Sequence, residues 1–300
     1  MKDPELTAEE TERMENPGKT KPKKIHSLID KVYSRTNLML RWRRLRANRG
    51  KGGVDRVSID DFAAVAEDEL ASLHEELRDG TYRPLPVRRV YIPKRGKPGE
   101  RRPFGIPAIR DRICQQALKN RLEPILEPVF NDCSYGYRPG RSTHDALRKI
   151  WLELQAGYGW VVDADLRDYF GSVSHEALID MVAEHISDGR VLRLVRQFLT
   201  AGYLEKGQWF PTNRGTPQGG VISPLLANLY LTPFDDAMTQ RGYRLTRYAD
   251  DWVILCRTRD EAERALQEAQ EVLTELGLAL HPAKTRIVQS PGDSNSWVTS

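Results

Sequence analysis

The spacing of apolar residues along the chain predicts a mixture of helices and strands. Apolar positions recur at helical intervals over residues 25–48, which indicates one or two helices. Ser58 resembles an N-cap, with aspartates in the first turn of a helix that reaches about Arg78. Residues 110–130 also have a helical pattern. Residues 1–24 have almost nothing to bury, so we expect this tail to be disordered.

A strongly basic turn separates two strand-like segments in the first half of the chain. Residues 88–93 are predicted to form one strand, KRGKPGERR the turn, and residues 103–107 the returning strand. The turn places several lysine and arginine side chains at the tip of the hairpin. The hairpin is therefore a candidate clamp for phosphate groups.

The segment SYGYRPGRSTHDAL combines a glycine-rich loop with a helix start. Ser142 and Asp145 have the spacing of a capping box. Amide groups at this helix start, together with Arg138 and Arg141, could hold a backbone phosphate. An ordinary capped loop is the alternative.

The second half of the chain alternates between the two element types. The pattern predicts a strand at 160–166, helices near 174–200, a Gly/Pro-rich link, a helix at 223–241, a strand pair at 244–256, a helix at 260–276 and a strand at 278–289. Strands interleaved with packing helices indicate an α+β fold, with a sheet layered on helices.

Charge is distributed unevenly along the chain, although the net charge is only +4. Residues 25–141 hold 24 basic and 15 acidic side chains, a net of +9, whereas residues 142–300 hold 16 basic and 21 acidic, a net of −5. A basic front half suits a polyanion, and an acidic back half suits cations. Solvated helix faces of chance sign are the alternative.

Composition excludes several classes of protein. No apolar run approaches the roughly 20 residues that cross a bilayer, and the N-terminus lacks the apolar stretch of a secretory signal. The three cysteines, Cys114, Cys133 and Cys256, are scattered, which argues against disulfides and against a zinc knuckle. A cytoplasmic location is expected.

The first acidic motif is Tyr248-Ala249-Asp250-Asp251, which has strand-like residues on both sides. Two adjacent carboxylates at a tight turn repel each other unless a cation neutralises them. A surface turn is the alternative, since aspartate is common in turns. The apolar flanks favour a turn anchored in a core sheet.

The second acidic motif lies in the apolar strand WVVDADL. Asp163 and Asp165 share one face of this strand, and Asp165 lies at its end, where it can meet a metal more easily. Magnesium prefers oxygen ligands from a few carboxylates and from substrate phosphates. Acids on two different strands could hold two such ions, which activate an attacking hydroxyl and stabilise a leaving pyrophosphate.

The third motif, RGTPQGGVISP, opens a helix. Its glycines permit close backbone approach, and Ser223 is predicted to cap the helix with Pro224 at its first position. Alone, this motif indicates only a turn into a helix. Its position between the two acidic motifs, however, is the motif order of reverse transcriptases.

Over residues 25–289 the chain resembles a group II intron-encoded reverse transcriptase. The resemblance rests on RPFGIPAIRDRI, SYGYRPGRSTHDAL, DADLRDYFGSVSHEAL, GTPQGGVISPLLANLYL, RYADDWVI and HPAKTRIV, in that order. It implies the fingers and palm of a right-hand polymerase, the palm being a small antiparallel sheet packed on helices. It also implies an N-terminal extension and fingers over 25–120, a palm over 121–290 from which parts of 185–215 return to the fingers, and an irregular end at 291–300.

The resemblance implies RNA-directed DNA synthesis with two Mg²⁺ ions, for which Mn²⁺ can substitute. Asp165, Asp250, Asp251 and the backbone carbonyl of Leu166 would hold the ions, and Asp163 is the rival of Asp165. Phe170, five residues after Asp165, falls where such enzymes place the ring that excludes a 2′-hydroxyl, and a core phenylalanine after a strand is the alternative.

Further residues would contact the incoming dNTP. Gln218 resembles the residue beside the nucleotide and the templating base. Lys94 and Arg102 resemble the residues that clamp the triphosphate, although Arg95 or Lys97 could replace Lys94. Lys284 resembles a general acid toward pyrophosphate, and a surface lysine is the alternative.

The resemblance also implies partners: an RNA template, a DNA primer and group II intron RNA, in a ribonucleoprotein of the bacterial cytosol. The expected RNA contacts are Arg41, Arg43, Arg44, Arg46, Arg49, Arg138 and Arg141, with a solvated helix face as the alternative for the first five. A homodimer is a further expectation. The thumb and maturase regions of the family are not recognised in this sequence, so we expect a weak grip on the duplex.

Two other functions fit the same motifs. One is a non-catalytic module that binds intron RNA or dimerises, against which the complete set of acids argues. The other is a related polymerase that the host uses in phage defence or in CRISPR spacer acquisition.

Overall fold

A computed structural model describes residues 24–48, 50–93 and 99–290 of the protein. Most of the predicted disordered tail and the predicted irregular end at 291–300 lie outside these residues. So do Arg49, Lys94, Arg95 and Lys97.

Short helices form the described N-terminal part: α1 (Ile29–Tyr33), α2 (Arg35–Ala47), α3 (Ile59–Ala64) and α4 (Ala66–Asp79). The predicted cap at Ser58 is confirmed, and Asp61 completes a capping box. The prediction of one continuous helix up to Arg78 is wrong, because Val65 leaves the helical conformation with φ −126° and ψ 19°. The break separates the buried face of α3 from that of α4. On α3, the Phe62 ring packs against Trp42, with ring centroids 4.7 Å apart.

The basic hairpin consists of β1 (Val87–Pro93) and β2 (Arg101–Ile106), paired antiparallel as predicted. A second small hairpin, β4 (Tyr203–Glu205) and β5 (Gln208–Phe210), extends it, giving the strand order β2-β1-β4-β5. We call these four strands the hairpin sheet. The β1–β4 pair is parallel. The sequence pattern places residues 203–210 in a link, because strands of three residues leave almost no periodic signal.

Helix α5 (Ile109–Leu126) packs against α1 and α2 and continues into a 3₁₀ turn at Glu127–Val129. Five of its large apolar side chains are wholly enclosed: Ile109, Ile113, Leu118, Leu122 and Leu126. Helix α6 (Thr143–Gln155) follows, and the predicted capping box of Ser142 and Asp145 is confirmed.

The second sheet contains β3 (Trp160–Asp165), β6 (Arg244–Tyr248), β7 (Asp251–Cys256) and β8 (Arg286–Gln289), in the order β6-β7-β3-β8. Each of its neighbouring pairs is antiparallel. We call it the aspartate sheet. Strand β8 is shorter than the predicted 278–289, because residues 281–284 turn away and only Leu280 bridges to Leu166.

Helices cover the aspartate sheet and complete the core. The short α7 (Tyr169–Ser172) follows β3, whereas α8 (His175–His185) packs on α10 (Ser223–Gln240) and α9 (Gly189–Thr200) packs on α8. Helices α10 and α11 (Arg259–Glu275) lie on the sheet itself. The α10 side chain Phe234 packs on Trp252 of β7, with ring centroids 5.3 Å apart. Helix α11 presents the small buried residues Ala262, Ala265 and Ala269, which permit close packing. The predicted α+β class is confirmed.

Candidate active site

The register of the aspartate sheet brings distant carboxylates to one end of it. Asp165, the last residue of β3, lies directly opposite Asp251, the first residue of β7. Strands β6 and β7 are joined by the two-residue turn Ala249-Asp250, with Tyr248 opposite Asp251. Asp250 therefore lies at the tip of this turn, beside the Asp165–Asp251 pair. We call Asp165, Asp250 and Asp251 the acidic triad.

The rival residue Asp163 is engaged elsewhere. Its carboxylate accepts a hydrogen bond from the Nε atom of Arg286 at 2.9 Å and forms an ion pair with the Nη2 atom at 2.7 Å. Asp165 lies two residues nearer to the β6–β7 turn and is buried, whereas Asp163 is half-buried. The structure thus groups Asp165, and not Asp163, with the other two acids.

The acidic triad carries negative charge that Lys284 offsets only in part. Burial, and then the neighbouring Asp165 carboxylate, raise the pKa of Asp250. Burial also raises the pKa of Asp251 to about 6, with Asp250 and Asp165 contributing next. Lys284 acts in the opposite direction on both groups. A bound cation would relieve this repulsion, as expected of a metal site.

The donor atoms suit a hard divalent cation, but the side chains are not gathered around one point. Lys284 Nζ contacts the Asp165 carboxylate directly. Within the described ranges, no three carboxylate, imidazole or thiolate groups lie close enough to hold a metal ion as placed. Ligation of one ion by all three acids would require their side chains to converge. Their oxygen atoms are the ligands that Mg²⁺ prefers.

The carbonyl of Leu166, predicted as a further ligand, points toward the β7 side of β3. The Arg167 amide donates to Ala279, and the His281 amide donates to the carbonyl of Asp165, each at 2.8 Å. Successive carbonyl groups point to alternate sides of a strand. The Leu166 carbonyl therefore faces away from residues 279–281, toward the side on which β7 lies.

The RGTPQGG loop is fastened to the segment that carries Phe170. The Thr216 amide donates to the Phe170 carbonyl at 2.7 Å, and the Gly215 amide donates to Val173 at 2.7 Å. Gly215 has φ +85°, and a Cβ atom there would come within 2.6 Å of the Phe170 carbonyl oxygen. This close approach explains why residue 215 is a glycine. The two hydrogen bonds hold the half-buried Phe170 beside β3, the strand that ends at Asp165.

The same loop meets the hairpin sheet. The Gly105 amide of β2 donates to the carbonyl of Gln218 at 2.6 Å. A Cβ atom at Gly219 would lie 2.3 Å from the Gly105 carbonyl oxygen, so this close approach requires a glycine. Arg102, three residues earlier on β2, is exposed. Its predicted partner Lys94 lies outside the described residues.

The start of α10 differs from the prediction. Ser223 does not cap the helix, because its Oγ atom donates to the Pro217 carbonyl at 2.9 Å within the loop. The buried Gln115 of α5 acts instead, and its Oε1 atom accepts the Val221 amide at 2.8 Å. A distant side chain thus satisfies the helix start, which no local pattern could reveal.

Residues 133–137 also lie beside the acidic triad, although the motif SYGYRPGRSTHDAL was predicted only to cap a helix or to hold a phosphate. The Arg247 amide donates to Cys133, and the Tyr135 amide donates to Arg247, so this segment extends the edge of β6. Tyr137 follows with φ 60° and remains half exposed. Burial, and then the nearby Asp250 carboxylate, raise the pKa of the Tyr137 phenol, whereas Arg102 lowers it. Its ring is therefore within electrostatic reach of both the acidic triad and the hairpin sheet.

The arginines predicted to contact RNA are divided between surface and interior. Arg43, Arg44 and Arg46 lie on α2, and all three are exposed. Arg41 is buried, and the structure does not bring it to the surface. Arg138 is also buried, since its guanidinium group donates to Glu127, Asn131 and Ser134. Arg141 pairs with Asp132. Helical spacing could not distinguish inward from outward arginines.

Comparison with known proteins agrees with this geometry. Residues 92–294 match the family model described as "Reverse transcriptase (RNA-dependent DNA polymerase)". Protein YkfC of Escherichia coli (strain K12) is 38% identical over 274 residues, covering 78% of this chain and 71% of YkfC. Group II intron-encoded protein LtrA of Lactococcus lactis subsp. cremoris is 38% identical over 235 residues, covering 78% of this chain and 37% of LtrA.

The chain belongs to the reverse transcriptase family, the RNA-dependent DNA polymerases, and its relatives place it among the group II intron type. A solved structure titled "Partial Cas6-RT-Cas1--Cas2 complex" shares the fold, with a TM-score of 0.51 and 23% identity over 83% of this chain and 43% of that one. The predicted family and the predicted polymerase fold are confirmed. None of the helices in the described residues combines the length and the apolar character that a bilayer-spanning segment needs.

Proposed function

We propose that this chain synthesises DNA on an RNA template by adding nucleotides from dNTPs to a primer 3′-hydroxyl. The observation that carries the proposal is the pairing of Asp165 with Asp251, with Asp250 on the adjoining turn. These residues would hold two Mg²⁺ ions, or Mn²⁺ in their place, with help from the Leu166 carbonyl. When bound, such ions lower the pKa of the attacking hydroxyl and stabilise the charge on the leaving pyrophosphate.

The remaining residues orient the substrates. Phe170, fixed through Thr216, would pack against the sugar and exclude a 2′-hydroxyl. Gln218 would lie beside the nucleotide and the templating base, and Arg102 would bind the triphosphate bidentately, with Lys94 as its partner. Lys284 would hold the proton that pyrophosphate requires on leaving. Catalysis would depend mainly on positioning and charge stabilisation.

We also propose the setting in which this chemistry takes place. Arg43, Arg44 and Arg46 of α2 would bind the phosphates of template or group II intron RNA, with Arg141 as a further RNA-binding residue. The protein would act as a ribonucleoprotein in the bacterial cytosol, and it would form a homodimer, which sedimentation would test. The chain spans 37% of LtrA, so activities of the rest of LtrA are not attributed to it.

The decisive experiment is dNTP incorporation on homopolymer templates, with RNA and DNA templates compared. Asp250→Asn should reduce primer extension by at least about a hundredfold, because a ligand of the ions is removed. Asp163→Asn is the matched control, since this acid is paired with Arg286 and should leave synthesis within a few-fold of the wild type. Synthesis by Asp250→Asn at the wild-type rate would refute the assignment. Intron RNA binding without any synthesis would indicate a non-catalytic module.

A further inference from the structure

A charged pair is completely enclosed behind the turn that carries Asp250. Arg247 of β6 and Asp235 of α10 are both fully buried. The guanidinium group holds the carboxylate with two bonds, from Nε to Oδ1 at 2.7 Å and from Nη2 to Oδ2 at 2.5 Å. Such a fork fixes the plane of the guanidinium group and therefore the direction of its remaining nitrogen.

That remaining nitrogen reaches the turn. Arg247 Nη1 donates to the carbonyl of Ala249 at 2.8 Å and to Asn228 Oδ1 at 3.1 Å. Asn228 Nδ2 in turn donates to the carbonyl of Gly136 at 2.7 Å. The side chains of Arg247 and Asn228 therefore link the buried ion pair to the backbone of Gly136.

Ala249 has a backbone conformation that an alanine rarely adopts. Its φ is 60°, in a two-residue hairpin turn, a position that usually favours glycine. Gly136 packs directly against it, because a Cβ atom on Gly136 would lie 2.4 Å from the Ala249 nitrogen. Such a conformation persists only where the surroundings determine it, and it is often found at functional sites. In this turn the surroundings are the Arg247 bond and the Gly136 backbone.

Stability alone explains this arrangement poorly. Removing two charges from water is costly, and apolar residues of similar volume often stabilise a core as well or better. An apolar pair in place of Asp235 and Arg247 could not hold the Ala249 carbonyl, the group immediately before Asp250. The feature that the charged pair adds is a fixed direction for the turn.

We propose that Arg247 and Asp235 are positioning residues of the active site: through the Ala249 carbonyl they hold the turn so that Asp250 is presented to a divalent cation. This inference rests on the proposed function, because it assumes that Asp250 is a metal ligand. Neither residue touches the substrate or the ions. Their effect would be on metal affinity, in the manner of residues that orient metal ligands from behind.

The test is Mn²⁺ binding to the full chain, measured by water proton relaxation without substrates, alongside the Mg²⁺ dependence of primer extension. Arg247→Lys keeps a positive charge beside Asp235 but cannot hold the carboxylate and the Ala249 carbonyl in the same fixed geometry. We expect it to weaken Mn²⁺ binding by about tenfold or more and to raise the Mg²⁺ requirement equally. The matched control is Arg190→Lys, whose guanidinium group donates to the carbonyls of Leu77 and Arg78, away from the site.

A second substitution distinguishes positioning from general damage. Glycine adopts the Ala249 conformation at little cost, so Ala249→Gly added to Arg247→Lys should restore at least part of the Mn²⁺ affinity. Wild-type affinity in folded Arg247→Lys would overturn the inference, and so would an absence of any rescue. If circular dichroism shows that Arg247→Lys is unfolded, Asn228→Ala replaces it, because it removes an acceptor of the same nitrogen and leaves the ion pair. That variant should bind Mn²⁺ several-fold more weakly, and unchanged affinity would again overturn the inference.

Failure of the metal site and failure of the positioning role give different results. If Asp250→Asn binds Mn²⁺ as tightly as the wild type, the proposed metal site is wrong and with it the proposed function. If Asp250→Asn loses binding while Arg247→Lys retains it, only the positioning role is wrong.

Discussion

Lys284 makes direct contact with the carboxylate of Asp165, across the gap between the end of β3 and the turn before β8. The hydrogen bond to Asp165 raises the pKa of the Lys284 ammonium group, and the other two acids of the triad act in the same direction. The ammonium group therefore stays protonated and would compete with any cation that Asp165 binds.

Lys284→Met should therefore change two measurements in opposite directions. Mn²⁺ affinity should rise by a few-fold, because the competing ammonium group is gone. Primer extension should slow by about tenfold or more, because the proposed acid is removed. Lys206→Met, on the small β4–β5 hairpin, is the control and should change neither. Extension at the wild-type rate would mean that Lys284 is an ordinary surface lysine that takes no part in catalysis.

Metal binding should depend on pH through Asp251. Because its pKa in the folded protein is raised to about 6, the carboxylate is protonated below that pH and cannot ligate. Mn²⁺ affinity should fall as the pH is lowered through about 6, and binding near this pH should release protons. Calorimetric titration in buffers of different ionisation enthalpy would measure the release. A flat affinity from about pH 5 to about pH 8 would contradict the prediction.

Stability should depend on pH through Asp111, a buried residue of α5. Tyr82 donates to it at 2.5 Å and the Leu85 amide at 3.1 Å, yet burial raises its pKa to about 6. A folded-state pKa above the unfolded value means that the folded state binds more protons. Asp111 therefore adds roughly 3 kcal/mol to the free energy of unfolding below about pH 4. This contribution is lost as the pH rises through about 6.

Urea unfolding of the wild type and of Asp111→Asn across this range would isolate the contribution. The free energy of unfolding of the variant should fall less steeply between about pH 4 and about pH 6. Equal slopes for the two proteins would show that Asp111 does not titrate in this way. Other acids with raised pKa values, such as Asp235, change both proteins alike and cancel in the difference.

Gly136→Ala should impair synthesis with little loss of secondary structure. The new methyl group would lie 2.4 Å from the Ala249 nitrogen, so the turn that carries Asp250 must shift. We expect primer extension to fall by about tenfold or more, as for other displacements of a ligand. Gly159→Ala is the matched control, because a Cβ atom there meets nothing within 4 Å. Equal rates for the two variants would contradict the packing argument.

The arginines on the outer face of α2 should contribute to RNA affinity through their charge. Replacing Arg43, Arg44 and Arg46 by alanine should lower affinity and also reduce the slope of log affinity against log salt. The slope should fall by about 0.7 for each phosphate of a single strand that is no longer neutralised. Arg259→Ala, on the acidic helix α11, should leave the slope unchanged. A lower affinity with an unaltered slope would mean that these residues do not bind phosphates.

The sequence predicts much of this site because its acids lie on strands with strong apolar patterns. The apolar flanks of Asp165 and of Asp250-Asp251 identify the strands, and a strand end is where a polar side chain can leave the core. The sequence does not show which strands pair. If Asp165 and Asp251 are to share a metal site, however, the end of β3 must lie beside the start of β7, and this requirement gives the observed antiparallel register.

Other parts of the site could not be predicted from local patterns. Arg247 stands between Thr246 and Tyr248 on β6 and resembles a solvent-facing residue, and only the tertiary structure shows that Asp235 neutralises it. Gln115 satisfies the start of a helix more than a hundred residues away. Arg41 and Arg43 are equally polar in sequence, but α2 turns one inward and the other outward. These outcomes depend on packing, which has no periodic signature.

The backbone bond between Gly105 and Gln218 ties the hairpin that is proposed to bind the triphosphate to the RGTPQGG loop. Gly219 lies directly against the Gly105 carbonyl oxygen, and the Thr216 amide is bonded to the Phe170 carbonyl. A continuous line of backbone contacts therefore runs from β2 to the ring that is proposed to pack against the sugar. If the hairpin binds the triphosphate and Phe170 packs against the sugar as proposed, a substitution along this line of contacts would change turnover and sugar selectivity together.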